Sequence, residues 1–312
     1  MLVSFLVLRL LLSPRAPLRF LDHPNERSLH RAPVPRTGGI AILAGIVSGA
    51  VWIAGFGLPL AGALALAAIS LIDDWRGLPQ VIRLTSHLAV AAAFVVFLAP
   101  SMSFLAQSLL IVAVGWMTNL YNFMDGSDGL AGGMAIMGFG FLAFGAWLAG
   151  DSAMVWFCIC VVCASVPFLL FNFSPSKIFL GDAGSIPLGF LAAALGILGW
   201  QRGNWTLWFP LLVFSPFIVD ATVTLGRRMI RQERVWLAHR DHYYQRLIRL
   251  GWSHRKTALA AYIVMMAVGS LGLLARVDEA GTIPLMIAGA MYLMLGFLID
   301  RAWNGRPSLD RA

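Results

Sequence analysis

FLAQSLLIVAVGWMTNLYNFMDGSDGLAGGMAIMGFGFLAFGAWLA, residues 104–149, joins two apolar runs, 104–123 and 129–149, through a short acidic, glycine-rich turn. Each run is close to the roughly 20 residues that an α-helix needs to cross a bilayer. The only charged residues in the stretch are Asp125 and Asp128, both in the turn. Working outward, similar apolar runs lie at 39–55, 58–73, 86–100, 152–172, 184–200, 206–225, 257–275 and 281–300. Runs 58–73 and 86–100 are short and are expected to extend into their flanks. An eleventh run, Leu2 to Leu12, is shorter still, contains Arg9 and is followed by Pro14. The fold class expected is therefore all-α, a polytopic helical membrane protein with 10–11 transmembrane helices, residues 1–312 forming a single membrane domain.

Composition agrees with lipid as the main solvent. Of 312 residues, 59% are hydrophobic and 12% charged, against about 25% charged in soluble domains, and mean hydropathy is +0.78. The net charge of +8 would suggest nucleic acid in a soluble protein. Here it sits in short loops, where it reads as an orientation signal and a phosphate-facing surface, so no nucleic-acid partner is expected. Cys158, Cys160 and Cys163 share one apolar run and read as small buried hydrophobes. The N-terminal run has neither a basic start nor a small-residue cleavage site, so no removable signal is expected.

Basic residues set the orientation. Alternate loops, counted from 13–37, hold 20 of the 23 lysines and arginines; the opposite loops hold Arg202 and Arg276 alone. The positive-inside rule then places the basic loops and the C-terminus in the cytoplasm.

Five carboxylates fall on that same side. Asp73 and Asp74 end a run in LIDDWRG, Asp125 and Asp128 lie in NLYNFMDGSDGLAGG, and Asp182 lies in KIFLGDAGS. Acids at a membrane edge are costly and need a reason. Adjacent carboxylates at a helix C-terminus repel each other and meet the negative end of the helix dipole. They call for a cation, magnesium being the simplest. Asp125 and Asp128 have i,i+3 spacing at an expected helix start, which would turn both one way. Asp182 opens the next helix beside glycines and Ser185, a favourable setting for phosphate oxygens. Magnesium takes one or two carboxylates plus substrate phosphates. The set reads as phosphoryl-transfer machinery. Marking of helix ends would explain any one of these acids, but fits poorly for five beside glycines on one face.

With these motifs in place, the chain resembles the polyprenyl-phosphate N-acetylhexosamine-1-phosphate transferase family, glycosyltransferase family 4. The resemblance runs from Pro33-Val34-Pro35-Arg36-Thr37-Gly38-Gly39 to the His239–Trp252 loop. It implies that Asp73 and Asp74 serve the lipid phosphate, and that Asn119, Asn122, Asp125 and Asp128 line the nucleotide-sugar and metal site. It further implies that Asn172 and Phe179 hold the uridine, and that Asp182 binds Mg2+ (with Mn2+ as a substitute) together with Asp125 and Asp128. Arg36, Arg83, His239 and His242 join the substrate-binding set. Asp220 resembles an acid of the O-antigen branch, with helix capping an equally good account. Many members carry HxHH or HHH in the last large loop; here Tyr243 and Tyr244 follow His242, which turns the resemblance towards the O-antigen-initiating branch.

The activity implied is transfer of N-acetylhexosamine-1-phosphate from a UDP-sugar to undecaprenyl phosphate at the cytoplasmic face of a bacterial inner membrane. Undecaprenyl phosphate, UDP-sugar and membrane lipid are the partners, and a homodimer is compatible with the pattern. The alternative within the family is the phospho-MurNAc-pentapeptide transferase of peptidoglycan synthesis. A secondary transporter is the alternative from another class. It would place its ionisable groups near mid-membrane, commonly within inverted repeats, and no repeat is visible.

Overall fold

The computed structural model describes residues 1–13, 20–22, 33–234, 239–278 and 281–305. Of the basic residues that set the orientation, Arg15, Arg19, Arg27, Arg31, Arg306 and Arg311 lie outside the described residues. In chain order the elements are α1 (Leu2–Leu11), β1 (Leu21–Asp22), β2 (Val34–Pro35), α2 (Gly38–Ala50), α3 (Gly57–Arg76), α4 (Gln80–Leu98), α5 (Phe104–Phe123), α6 (Leu130–Ala149), α7 (Ser152–Asn172), α8 (Asp182–Gln201), α9 (Trp208–Val213), α10 (Ser215–Ile230), α11 (Tyr243–Arg249), α12 (His254–Ala275) and α13 (Thr282–Asn304). β1 and β2 form one antiparallel pair, Leu21 opposite Pro35. The fold class is all-α, as the apolar runs imply.

Eight of the described helices, α3 to α8, α12 and α13, are long and apolar enough to cross a membrane. The expectation of ten or eleven differs for physical reasons. α1 has 10 residues and α2 has 13. The run 206–225 is not one helix but two, meeting at Phe214. Pro216 has no N–H to give the Leu212 carbonyl four residues back. The Ser215 hydroxyl donates to that carbonyl instead, at 2.6 Å, and Pro216 sits in the first turn of α10, where its missing donor costs nothing.

Local signals fix most helix ends. Ser103 accepts from the Ala106 amide, Asp151 from Met154, and Ser253 from Lys256, each satisfying an orphan N–H at a helix start. α3 stops at Gly77, whose φ of +68° is the left-handed conformation that favours glycine; Pro79 then opens α4.

α8 runs through the middle of the bundle. It packs against α2, α3, α4, α5, α6 and α9, and 16 of its 20 residues are buried. One hydrophobic core runs from Leu8 in α1 to Met265 in α12, and a small second cluster joins Leu212, Val268, Ala275 and Ala288. Cys158 is buried within the first core, and all three cysteines are free.

The two ends of the bundle differ. At one end Asp151 accepts from the Met154 amide, Arg202 and Asn204. Its acceptors are spent on closing that end, and these contacts hold its carboxyl below the usual range against the opposing effect of burial. The loops bearing Asp73, Asp74, Asp125, Asp128 and Asp182 meet at the opposite end.

Candidate active site

The site is built on a backbone zipper between two segments more than 140 residues apart. Phe179 N–H donates to Pro35 O (2.7 Å), Gly38 N–H to Phe179 O (2.9 Å) and Gly39 N–H to Leu180 O (2.8 Å). These bonds lay the N-termini of α2 and α8 side by side. A side chain on Gly39 would run into the backbone of Gly184 and Ala183, and one on Gly181 into the Arg36 carbonyl. Gly181 has φ of +71°, so it answers both to conformation and to space. The Pro33–Gly39 and Gly181–Ser185 motifs are thus two halves of one joint, which sets Asp182 at the first position of α8. Phe179 contributes its backbone to that joint on both sides.

Asp73 and Asp74 arrive on the last turn of α3. Arg36 Nη2 lies 3.0 Å from Asp74 Oδ1, and Arg83 Nη1 lies 2.9 Å from Asp73 Oδ2. The other Asp73 oxygen accepts from the Leu78 amide at 2.6 Å. The cation that the adjacent pair calls for is therefore supplied by two arginines, one reaching from each neighbouring segment. Arg83 also stands 3.7 Å from Asp182 Oδ2, so a single guanidinium ties the end of α3 to the start of α8.

Asp125 and Asp128 part company. The segment between α5 and α6 is a turn, with Gly129 at φ of +77°, and α6 begins only at Leu130. The expected shared helical face does not form, because this glycine-rich turn holds neither acid on a helix. Asp125 accepts from the Gly181 amide, and its carboxyl is pushed well above the usual range, first by burial and then by Asp182 beside it. Asp128 Oδ2 accepts from the Ser176 amide at 3.2 Å, fastening the 124–129 turn to the loop before α8.

The asparagines divide in the same way. Asn122 Oδ1 accepts from Ser185 Oγ at 3.0 Å, linking α5 to the first turn of α8. Asn119 donates to Gly115 O (2.7 Å) and meets His87 Nδ1 through Oδ1 (3.2 Å). Asn172 is buried; its Oδ1 accepts from Gly129 N–H (2.9 Å) and its Nδ2 donates to Ile178 O (2.8 Å). Its amide thus holds one backbone group on each side, joining the same two loops that Asp128 joins.

Among the described residues no three His, Cys, Asp or Glu side chains form a metal-holding group by themselves. The arrangement that fits a hard cation is the Asp125–Asp182 pair. These two carboxylates are drawn together by the Gly181 turn, and Asp182 raises the cost of charge on Asp125. Two carboxylates leave the remaining positions to phosphate oxygens and water, as magnesium prefers.

His239 and His242 form an adjoining cluster. Their rings lie 4.8 Å apart. Burial, then the His242 ring and the Arg228 guanidinium, push His239 down to about 4, so it is uncharged near neutral pH. Asp220 accepts from the amides of Tyr243 (2.9 Å) and Tyr244 (3.1 Å) and lies 3.3 Å from His242 Nδ1. Capping of α11 is thus its described role. α11 and α12 hold the end of α5 and the turn after it: Tyr244 OH donates to Phe123 O (3.2 Å), His254 Nδ1 meets Ser127 Oγ (3.0 Å), and Tyr262 OH donates to Gly129 O (2.7 Å).

Two residues escape a reading by motif. His87 lies one helical turn beyond Arg83 and is buried; a titratable residue inside an apolar run is the signal that marks it. Asp300 carries the same signal. It binds Arg227 (2.7 Å) and Arg246 (3.0 Å), and the Tyr243 hydroxyl at 3.3 Å, locking α10, α11 and α13 together.

The description "Glycosyl transferase family 4" belongs to the family model that matches residues 56–200, a stretch that contains all five aspartates. The chain is 28% identical to a probable undecaprenyl-phosphate N-acetylglucosaminyl 1-phosphate transferase of Bacillus subtilis, over 78% of this chain and 74% of that protein. It is 26% identical to the undecaprenyl-phosphate alpha-N-acetylglucosaminyl 1-phosphate transferase of Escherichia coli K12, over 91% and 84%. With a decaprenyl-phosphate N-acetylglucosaminephosphotransferase of Mycobacterium tuberculosis it shares 29% identity, over 77% and 72%.

Proposed function

We infer that this chain belongs to glycosyl transferase family 4, whose model matches residues 56–200. It transfers N-acetylhexosamine-1-phosphate from a UDP-sugar to undecaprenyl phosphate and releases UMP, at the cytoplasmic face of a bacterial inner membrane. The product starts an O-antigen or another cell-envelope polysaccharide. The relatives' N-acetylglucosaminyl names favour this reading over phospho-MurNAc-pentapeptide transfer.

The observation that carries it is the convergence of Asp73, Asp74, Asp125 and Asp182 with Arg36 and Arg83 at one end of the bundle. In the reaction an oxygen of the lipid phosphate forms a bond to the β-phosphorus of the UDP-sugar. The bond from that phosphorus to the bridging oxygen breaks, and UMP leaves with the electron pair. Both substrates are anions, so the site must offset charge as they meet. Arg83 and Arg36 bring fixed positive charge, and the N-terminus of α8 adds its amides and dipole. Magnesium, held by Asp182 and Asp125, with Asp128 behind the turn that carries Asp125, supplies charge against the pyrophosphate oxygens when bound. Asp73 holds Arg83 in place by the 2.9 Å ion pair, which orients the lipid phosphate. His239, His242 and the arginines around them take the sugar or phosphate side.

The test is transfer of radiolabel from UDP-N-acetylglucosamine and a panel of other UDP-sugars to undecaprenyl phosphate, extracted into an organic phase, with and without EDTA. Label in the organic phase that EDTA abolishes is the expected result. No transfer from any UDP-sugar with folded protein sinks the reading.

A further inference from the structure

α4 presents Arg83 and His87 one turn apart, on one face. Arg83 ties to Asp73 on α3 and to Asp182 on α8. His87 ties instead to Asn119 on α5, on the side of Asn122 and Asp125. α4 is thereby the strut between the acids assigned to the lipid phosphate and the helix assigned to the nucleotide-sugar.

The hydrogen-bond pattern fixes what His87 does there. Asn119 Nδ2 donates to the Gly115 carbonyl at 2.7 Å, so Asn119 Oδ1 is the atom turned to His87. An oxygen acceptor requires that His87 Nδ1 carry the proton. Nε2 of a neutral ring is then an acceptor. The charged groups within reach of the ring are Arg83 on its own helix, Asp182 on α8 and Asp73 on α3. His87 is 4% exposed, so water cannot replace the Asn119 bond at low cost.

We propose that His87 is a positioning residue of the transfer reaction. Its Nδ1–H bond to Asn119 sets the spacing between α4 and α5, and so between the attacking lipid phosphate and the nucleotide-sugar. This rests on the function proposed above. It makes the imidazole a spacer whose Nδ1–H donates to Asn119, a donation that a glutamine amide can also supply.

The experiment compares wild type, His87→Gln and His87→Leu in detergent, with UDP-N-acetylglucosamine and undecaprenyl phosphate titrated separately and a thermal melt for each protein. Misplacing reacting groups by about 1 Å costs on the order of 100-fold. For His87→Leu a fall in kcat of about 30-fold or more is expected, with the KM for each substrate within about threefold. His87→Gln should restore kcat to within about threefold of wild type without moving the pH profile. Where Leu lowers the melt, Asn119→Leu removes the same bond from its other end, and the double variant should be no worse than the poorer single one. Wild-type kcat in His87→Leu overturns the proposal. Equal loss in Gln and Leu overturns it in favour of proton transfer, and additive losses in the double variant overturn the route through Asn119. Absence of transfer by the wild type overturns the proposed function and this inference with it; wild-type transfer with unimpaired His87→Leu overturns this inference alone.

Discussion

Gly39→Ala adds one methyl group at the joint between α2 and α8. The new Cβ would stand 2.8 Å from the Ala183 carbonyl carbon, and nearer still to the Gly184 Cα and N. All of these are backbone atoms of α8, so no rotamer change relieves the clash. Non-bonded carbons settle at about 3.5–4.0 Å, so the helices must part by on the order of 1 Å. The movement is delivered where it matters, because Gly39 N–H and Leu180 O form the zipper that leads into Asp182. We expect a stability loss of about 1–3 kcal/mol, the usual cost of overpacking. A fall in kcat on the order of 100-fold should accompany it, from displacement of Asp182 relative to Arg83 and Arg36. The assay is sugar-phosphate transfer in detergent, beside a thermal melt. Gly140→Ala is the control, since a methyl group there meets nothing within 4 Å. In mid-helix that change should leave activity intact and stabilise by up to about 1 kcal/mol. Wild-type melting and turnover in Gly39→Ala would refute the joint as the device that places Asp182.

Asp182→Asn keeps the shape but weakens a hard-cation ligand; turnover should fall by about 100-fold or more across a magnesium titration with the melt unchanged, and near-normal turnover at low magnesium would remove Asp182 as the ligand. Asn172→Leu strands the Gly129 amide and the Ile178 carbonyl, each costing about 1–3 kcal/mol; the melting temperature should drop clearly, and an unchanged melt would refute the clamp. A tag after Ala312 should be reachable from the cytoplasm alone, as the basic loops imply; periplasmic labelling would invert the proposed orientation.

The membrane character, most span positions and the meeting of the acid-bearing loops were legible from apolar runs and loop charge, because lipid imposes those patterns on every segment. The runs 104–123 and 152–172 coincide with α5 and α7. Division of labour inside the site was not legible. Asp125 and Asp128 look alike in DGSDG, yet one accepts from the Gly181 amide beside Asp182 and the other fastens Ser176, a distinction made by a chain reversal and by partners about 50 residues away. Asn172 reads from the motif as a ligand-facing amide, and nothing in the motif announces its two backbone partners. Pro216 did carry a readable warning that 206–225 would break, but the apolar side chains on either side of it read as one continuous span. His87 and Asp300 stand in or at the edge of apolar runs and belong to none of the motifs, so their roles emerge only from the helices they bridge.

α8 and α13 are both about twenty residues of apolar sequence, yet 89% of the apolar stretch of α8 is buried inside the protein and 11% of that of α13. Lipid scarcely touches α8 once the bundle is complete. Its hydrophobicity therefore has a temporary audience, the insertion machinery, while its small residues answer to permanent neighbours. α13 faces the same entry requirement but afterwards meets mostly acyl chains, which accept any apolar shape. Two helices that hydropathy cannot tell apart should therefore diverge in tolerance. Drift among Leu, Ile, Met and Phe is cheap along the outer helix, whereas along α8 a change of one methyl group is felt by the helices packed around it and by the acid at its head.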